Sequence, residues 1–265
     1  MENKVRKNYY TARNSQIGQY FQDDLNFVSY DLTDENTWNF LNETENLFLI
    51  VPTWKAQAKR KEQNVSRTIL DDCKKFIFHA RQSGVKKIVK IGSLGPNRAI
   101  HRQIDQFIEL CDINYTTFEI APLMNNVVTE MYKDGILYNY RGNTPAPYVD
   151  TKVLTEAVVQ AMDRDDLKNL RISATGEKQY YIEDVKRILI ENNYPVTDIV
   201  TQHNDTFIKN SPDNVDQQLV SDLGKDYFQG WYPEVSSDIN DLFGIQSRSL
   251  EQFMMDEKKI LARKY

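Results

Sequence analysis

Apolar residues recur with two different periods along the first two thirds of the chain. Short runs rich in β-branched and aromatic residues alternate with longer runs whose apolar positions return every three or four residues. The short runs predict strands at Val5 to Ala12, Asn26 to Asp31, Leu47 to Val51, Lys86 to Ile91 and Tyr115 to Ile120. Between them, Val65, Ile69, Leu70, Cys73, Phe76, Ile77 and Ala80 share one face of a helix over Val65 to Ala80, and Gly84 is its expected stop. A second helix, Ile100 to Leu110, sets Ile100, Ile104, Phe107 and Ile108 against polar His101, Arg102, Asp105 and Gln106, a polar side suited to line a cleft. The alternation predicts a parallel sheet with helices on both faces, whose ligands bind beyond the carboxyl ends of the strands. After about Tyr148 the pattern becomes helix-rich: a helix over Thr151 to Met162, a strand over Leu170 to Ala174 and a helix over Ile182 to Glu191. The expected fold class is therefore α/β: a Rossmann-like core over residues 1–147, with residues 148–265 forming mainly a smaller lobe interleaved with it.

Composition narrows the function classes. The apolar share is 40% and the charged share 27% of 265 residues, ordinary globular usage, and no apolar run approaches a bilayer span, so a soluble chain is expected. The start MENKVRKNYY has no apolar core of an export signal, which makes a cytoplasmic location the expectation. A net charge of -5 with dispersed basic pairs argues against nucleic acid. His79, His101 and His203 lack metal-ligand spacing, and Cys73 and Cys111 fall in apolar helical phases as buried thiols, so no metal is expected. Oligomeric state is not readable.

Three stretches together resemble the NmrA-like family, the atypical short-chain dehydrogenases. The first is FVSYDLTDENTW followed by LFLIVP. The second and most specific is GVKKIVKIGSLG followed by HRQIDQFIELCDINYTTFEIAPLMNN, in which Ser93, His101 with Asp105, Tyr115-Thr116 and Leu123 to Asn126 keep the family's order over some forty residues. The third is YVDTKVLTEAVVQAM, LRISATGEKQYYIEDV and SSDINDLFGIQSRSLEQF, which resembles the helix after the sheet, the strand and helix of the small lobe, and a closing helix pair.

One part of the family pattern is missing. A dinucleotide fold of this kind normally opens with a strand, a glycine-rich turn and a helix whose N-terminal amides hold a pyrophosphate. Here only Gly18 falls in the first eighty residues, and Val5 to Arg13 matches the family's second strand. A whole strand–turn–helix unit is absent rather than a few glycines, and a sheet without its middle strand exposes unpaired edges. The sequence leaves open a chain that starts upstream of Met1 and a rearranged strand order; loss of an intact unit favours the first.

The resemblance implies NADP, or NAD, as cofactor. Arg13, Asp31 and Leu32 would lie on the adenosine side, with Arg13 in the position from which relatives hold a 2'-phosphate. Pro52 would lie beside the ribose, Ser93 and Asn126 around the nicotinamide, and His101 toward substrate. His101 and Ser93 are the catalytic candidates, since Asn97 stands where some relatives carry a lysine and an amide supplies no titrating proton. Glu119 replaces a family arginine. Tyr148 and Lys152 match a Tyr-x-x-x-Lys spacing but follow the Tyr115 strand instead of preceding it, as a chance pair would. The implied activity is reduction of a small quinone, imine or carbonyl compound. The alternative is a non-catalytic sensor that binds NAD(P) or a partner protein, and a product that binds nothing is the third possibility.

Overall fold

The computed structural model describes residues 9–12, 26–29, 31–51, 69–95, 99–139, 141–201 and 233–264. In chain order the elements are β1 (Tyr9–Ala12), β2 (Asn26–Ser29), β3 (Asn46–Ile50), α1 (Ile69–Gln82), β4 (Lys87–Ser93), α2 (Ala99–Leu110), β5 (Asn114–Ile120), β6 (Tyr132–Lys133) and β7 (Ile136–Asn139). They continue with α3 (Thr151–Asp163), β8 (Leu170–Ala174), α4 (Ile182–Glu191), β9 (Asp198–Thr201), α5 (Asp238–Phe243) and α6 (Leu250–Lys264). The expected strand at Asn26 ends at Ser29, and Asp31 makes only an isolated bridge to Asp34. Val65 lies outside the described residues.

Four strands form one parallel sheet in the order β3-β4-β5-β8. Its strands are rich in β-branched residues and the central ones are buried on both faces, as crossover helices require. On one face Leu47, Leu49, Ile88 and Tyr115 pack with Trp38, α1 and α2. On the other, Val89, Phe118 and Ile172 pack under α3 and α5. Helices thus cover both faces of a Rossmann-like sheet. β1 and β2 pair in parallel as a separate two-stranded sheet, and no described pairing joins them to β3.

The turns are set by local chemistry. Helix α1 closes with Val85 N–H donating to the Ala80 carbonyl at 3.0 Å and Gly84 at φ 94, a left-handed stop at the residue the sequence marked. Asp134 and Gly135, at φ 51 and 82, are the two residues between Lys133 and Ile136, which pair across a tight hairpin. Both central residues need positive φ there, which an Asp-Gly pair accommodates. Asp150 caps α3, accepting from the Lys152 amide at 2.9 Å.

A third core holds the short sheet β6-β7-β9 with α4 and α6. Met131, Leu137, Tyr148, Tyr180, Val185 and Phe253 belong to it. Tyr180 pins the start of α6: its hydroxyl accepts from Leu250 N–H at 2.9 Å and donates to Glu251 at 2.7 Å. No described helix is long and apolar enough to cross a membrane.

Candidate functional site

Three parallel strands end in register at one rim. Ser93 of β4 is opposite Ile120 of β5, and Ile120 is opposite Ala174 of β8. Backbone bonds continue the row beyond the strands, from Leu94 N–H to the Ile120 carbonyl at 3.0 Å and from Ala121 N–H to the Ala174 carbonyl at 2.9 Å. Two of the candidate side chains leave the sheet from here. His101 lies in the first turn of α2, which follows the end of β4, and Asn126 ends the helical turn Met124–Asn126, which follows the end of β5. Ser93, His101 and Asn126 are all half-buried.

The backbone after Asn126 is unusual. Val127–Met131 forms a π-helical turn, a geometry enriched at functional sites. Asn125 beside it is fixed from the first residue of α3, its amide oxygen accepting from the Thr151 hydroxyl at 2.7 Å. Nothing in the sequence signals this turn, since VVTEM reads equally well as ordinary helix.

The polar side of α2 departs from expectation. Arg102 and Gln106 face solvent, but Asp105 is sealed, at 1% exposure. One Asp105 oxygen lies 3.2 Å from the Lys90 ammonium and 2.8 Å from the Thr117 hydroxyl; the other accepts from Arg171 Nε at 3.0 Å. The cause is Lys90, which points from the middle of β4 into the helix layer and is fully buried, so an anion must come to it. Burial pushes the Lys90 pKa down, against the pull of Asp105. Asp105 is thus an anchor holding α2 on the sheet, and His101 sits one helical turn before it. Lys87 is buried on the opposite face, where its ammonium donates to the Ala161 and Arg164 carbonyls at the end of α3.

On the far side, Asp31 starts a compact knot after β2. Its carboxylate accepts from both the amide and the hydroxyl of Thr33, each at 2.8 Å, and its carbonyl accepts from Trp38 Nε1 at 2.8 Å. Trp38 is buried edge-on against Phe76. The Leu32 side chain belongs to this core, so a ligand would meet only its backbone. Arg13 and Pro52 lie outside the described residues.

Tyr148 and Lys152 do not form a proton-transfer pair. Tyr148 is fully buried in the third core, its hydroxyl bonded to Arg141 and to the Met131 sulfur, while Lys152 is exposed on α3. Burial raises the Tyr148 pKa, opposite to what a catalytic tyrosine needs. Cys73 is buried and Cys111 only half-buried. Among the described residues no cluster of His, Cys, Asp or Glu is arranged to hold a metal.

The rim is polar and neutral at two positions. Ser93 and Asn126 offer a neutral hydroxyl and a neutral amide, each able both to donate and to accept. The amide nest that a pyrophosphate needs is not found among the described residues: β3 pairs only with β4, and no strand and turn adjoin its other edge.

No protein-family model and no curated protein matches the sequence. Solved structures do. The chain resembles a nucleoside-diphosphate-sugar epimerase from Staphylococcus aureus at 17% identity and TM-score 0.72, over 93% of this chain and 89% of that one. It resembles a triphenylmethane reductase from Citrobacter sp. at 14% identity and TM-score 0.72, over 95% and 90%. It also resembles an NADPH-dependent quinone oxidoreductase from Escherichia coli, solved with NADPH, at 14% identity and TM-score 0.74, over 96% and 92%. At such identities the likeness establishes the fold, which is the Rossmann-like one expected.

Proposed function

We propose that the chain is an NAD(P)H-linked oxidoreductase of the NmrA-like kind, or a descendant of one, acting on a small quinone, imine or carbonyl compound. The observation that carries this reading is the Ser93–Ile120–Ala174 row, which aligns three strand ends beneath the helical turns bearing His101 and Asn126. Parallel sheets bind ligands beyond such ends. The reductases among the similar structures, one of them solved with NADPH, support the same choice.

The residues divide the work by chemistry. When bound, the dihydronicotinamide supplies hydride; Ser93 and Asn126 orient its carboxamide, and His101 offers substrate a hydrogen bond or a proton. On the adenosine side, the backbone of Asp31 and Leu32 presents the knot after β2, and Arg13 would face a 2'-phosphate.

The burial of Tyr148 favours one second reading. Without a Tyr-Lys pair the site suits a nucleotide sensor that reports NAD(P) to a partner protein. The two readings part under one experiment. Reduced nicotinamide mononucleotide, which needs no pyrophosphate anchor, is titrated into the chain by calorimetry and then supplied with a panel of quinones, imines and aldehydes. The oxidoreductase reading expects binding that Asn126→Asp abolishes and turnover that His101→Ala removes. Binding without any turnover favours the sensor, and absence of binding contradicts both.

A further inference from the structure

On its α2 side the sheet ends in a row that carries a carboxylate without a protein partner. Lys90 of β4, Thr117 of β5 and Arg171 of β8 stand side by side, and all three meet Asp105 of α2. Side chains alternate along a strand, so two residues further on Gly92, Glu119 and Ser173 form the next row of the same face. Among the described residues the half-buried Glu119 carboxylate has no hydrogen bond and no ion pair within 4 Å, and the half-buried Ser173 hydroxyl has no hydrogen bond. Lys90 and Arg171 feel the charge of Glu119, yet both bond to Asp105 instead.

The start of α2 roofs this row. The helix leads from β4 back to the parallel strand β5 and so runs against both. Asp105 touches Thr117. Four residues back along α2 is about 6 Å and two residues forward along β5 about 7 Å, in the same direction. His101, on the same helical face as Asp105, is thereby carried over the row of Gly92 and Glu119. Gly92 leaves the floor bare, since a Cβ there would fall 3.2 Å from Thr117 Cγ2 and 3.5 Å from Lys90 Nζ. A glycine inside a strand often marks the close approach of a ligand or another backbone.

The chemistry of this row is one-sided. A carboxylate accepts hydrogen bonds and cannot donate them, and its pull on a cation grows as water is excluded. Quinone and carbonyl oxygens are acceptors as well, so they meet Glu119 with like polarity. A protonated imine nitrogen, or that of its amine product, brings a donor and a positive charge together, and charge-assisted bonds are about twice as strong as neutral ones. We propose that Glu119, with the Ser173 hydroxyl beside it, binds a protonated substrate nitrogen beneath His101, which narrows the substrate to the imine class. The substrate assignment rests on the function proposed above; the binding of a cationic nitrogen at Glu119 does not.

Nuclear magnetic resonance titration of the full chain with benzylammonium, and with benzyl alcohol as its neutral counterpart, tests the subsite. The backbone amide signals of Gly92, Glu119 and Ser173 are expected to shift with benzylammonium, at an affinity about tenfold or more above that for benzyl alcohol. Glu119→Gln keeps the size and removes the charge, and is expected to bring the two affinities together; Glu119→Asp should keep part of the preference. Benzyl alcohol, titrated into the same variants, controls for their folding. Equal affinities in the unsubstituted chain overturn the proposal, as does a preference that survives Glu119→Gln, or shifts confined to other acidic residues. Benzylammonium binding at Glu119 in a chain that does not bind reduced nicotinamide mononucleotide upholds the subsite and counts against the oxidoreductase reading.

Discussion

The Lys90 ammonium and the Asp105 carboxylate meet at 3.2 Å with both side chains sealed from water, at 0% and 1% exposure. Their dependence is unequal. Asp105 also holds Thr117 and Arg171, and Arg171 reaches solvent, whereas among the described residues Lys90 pairs within 4 Å with Asp105 alone. Removing the anion therefore strands a buried cation, while removing the cation leaves the anion well bonded.

Asp105→Asn is accordingly expected to cost about 4 kcal/mol and Lys90→Met only about 1 kcal/mol in urea unfolding, because breaking a buried pair from the side that leaves an uncompensated charge is the expensive route. Equal losses would show that the pair is not organised around Lys90.

Gly176 is packed against backbone. A Cβ there would fall 2.1 Å from the Tyr148 carbonyl oxygen, and the Gly176 amide donates to the Pro147 carbonyl at 3.1 Å. Gly176→Ala must separate β8 from the strand-like segment before α3, with an expected loss of about 3 kcal/mol in thermal or urea unfolding. A neutral substitution would place the two segments further apart than described.

Tyr115 sets an alkaline limit. Its hydroxyl donates to Glu109 at 2.6 Å, and burial followed by that bond push its pKa up to about 12 from an ordinary value near 10. The folded chain keeps the phenol proton where the unfolded chain has released it. The stabilising contribution is complete below about pH 10 and is lost as pH rises toward 12. Compared with Tyr115→Phe, the unsubstituted protein should lose stability more steeply across that window, read by denaturant melts with ultraviolet titration of tyrosinate. Parallel curves would contradict the assignment.

Lys152 is predicted to be irrelevant to turnover. It is exposed, and Tyr148 is bonded elsewhere. Lys152→Met should leave kcat and KM of any reductase activity unchanged, whereas a drop in kcat alone would return the pair to the reaction.

Much of the sheet was legible because β-branched runs are hard to place otherwise: Leu170–Ala174 and Ile182–Glu191 have the bounds that periodicity assigns. Lys87 and Lys90 were not legible as buried groups, since a sequence shows a charge but not the carbonyls or the carboxylate that satisfy it. Asp105 was read as cleft-facing for the same reason. The β6-β7-β9 sheet was missed although Asp134-Gly135 is a recognisable hairpin signal; the pairing of β7 with β9 joins segments some sixty residues apart, beyond any local pattern. At the site, Ser93, His101 and Asn126 were placed at one rim by their order after the strands, while the π-helical turn beside Asn126 has no sequence signature.

The central proposal is that the rim of Ser93, Ile120 and Ala174 receives a nicotinamide, with no pyrophosphate anchor among the described residues. It is tested most directly by comparing calorimetric affinities for reduced nicotinamide mononucleotide and for NADPH. The account predicts that both bind weakly and within about tenfold of each other, a difference of about 1.4 kcal/mol or less, and that Asn126→Asp weakens both. NADPH binding a thousandfold tighter than the mononucleotide would show that an anchor is present and contradict the account.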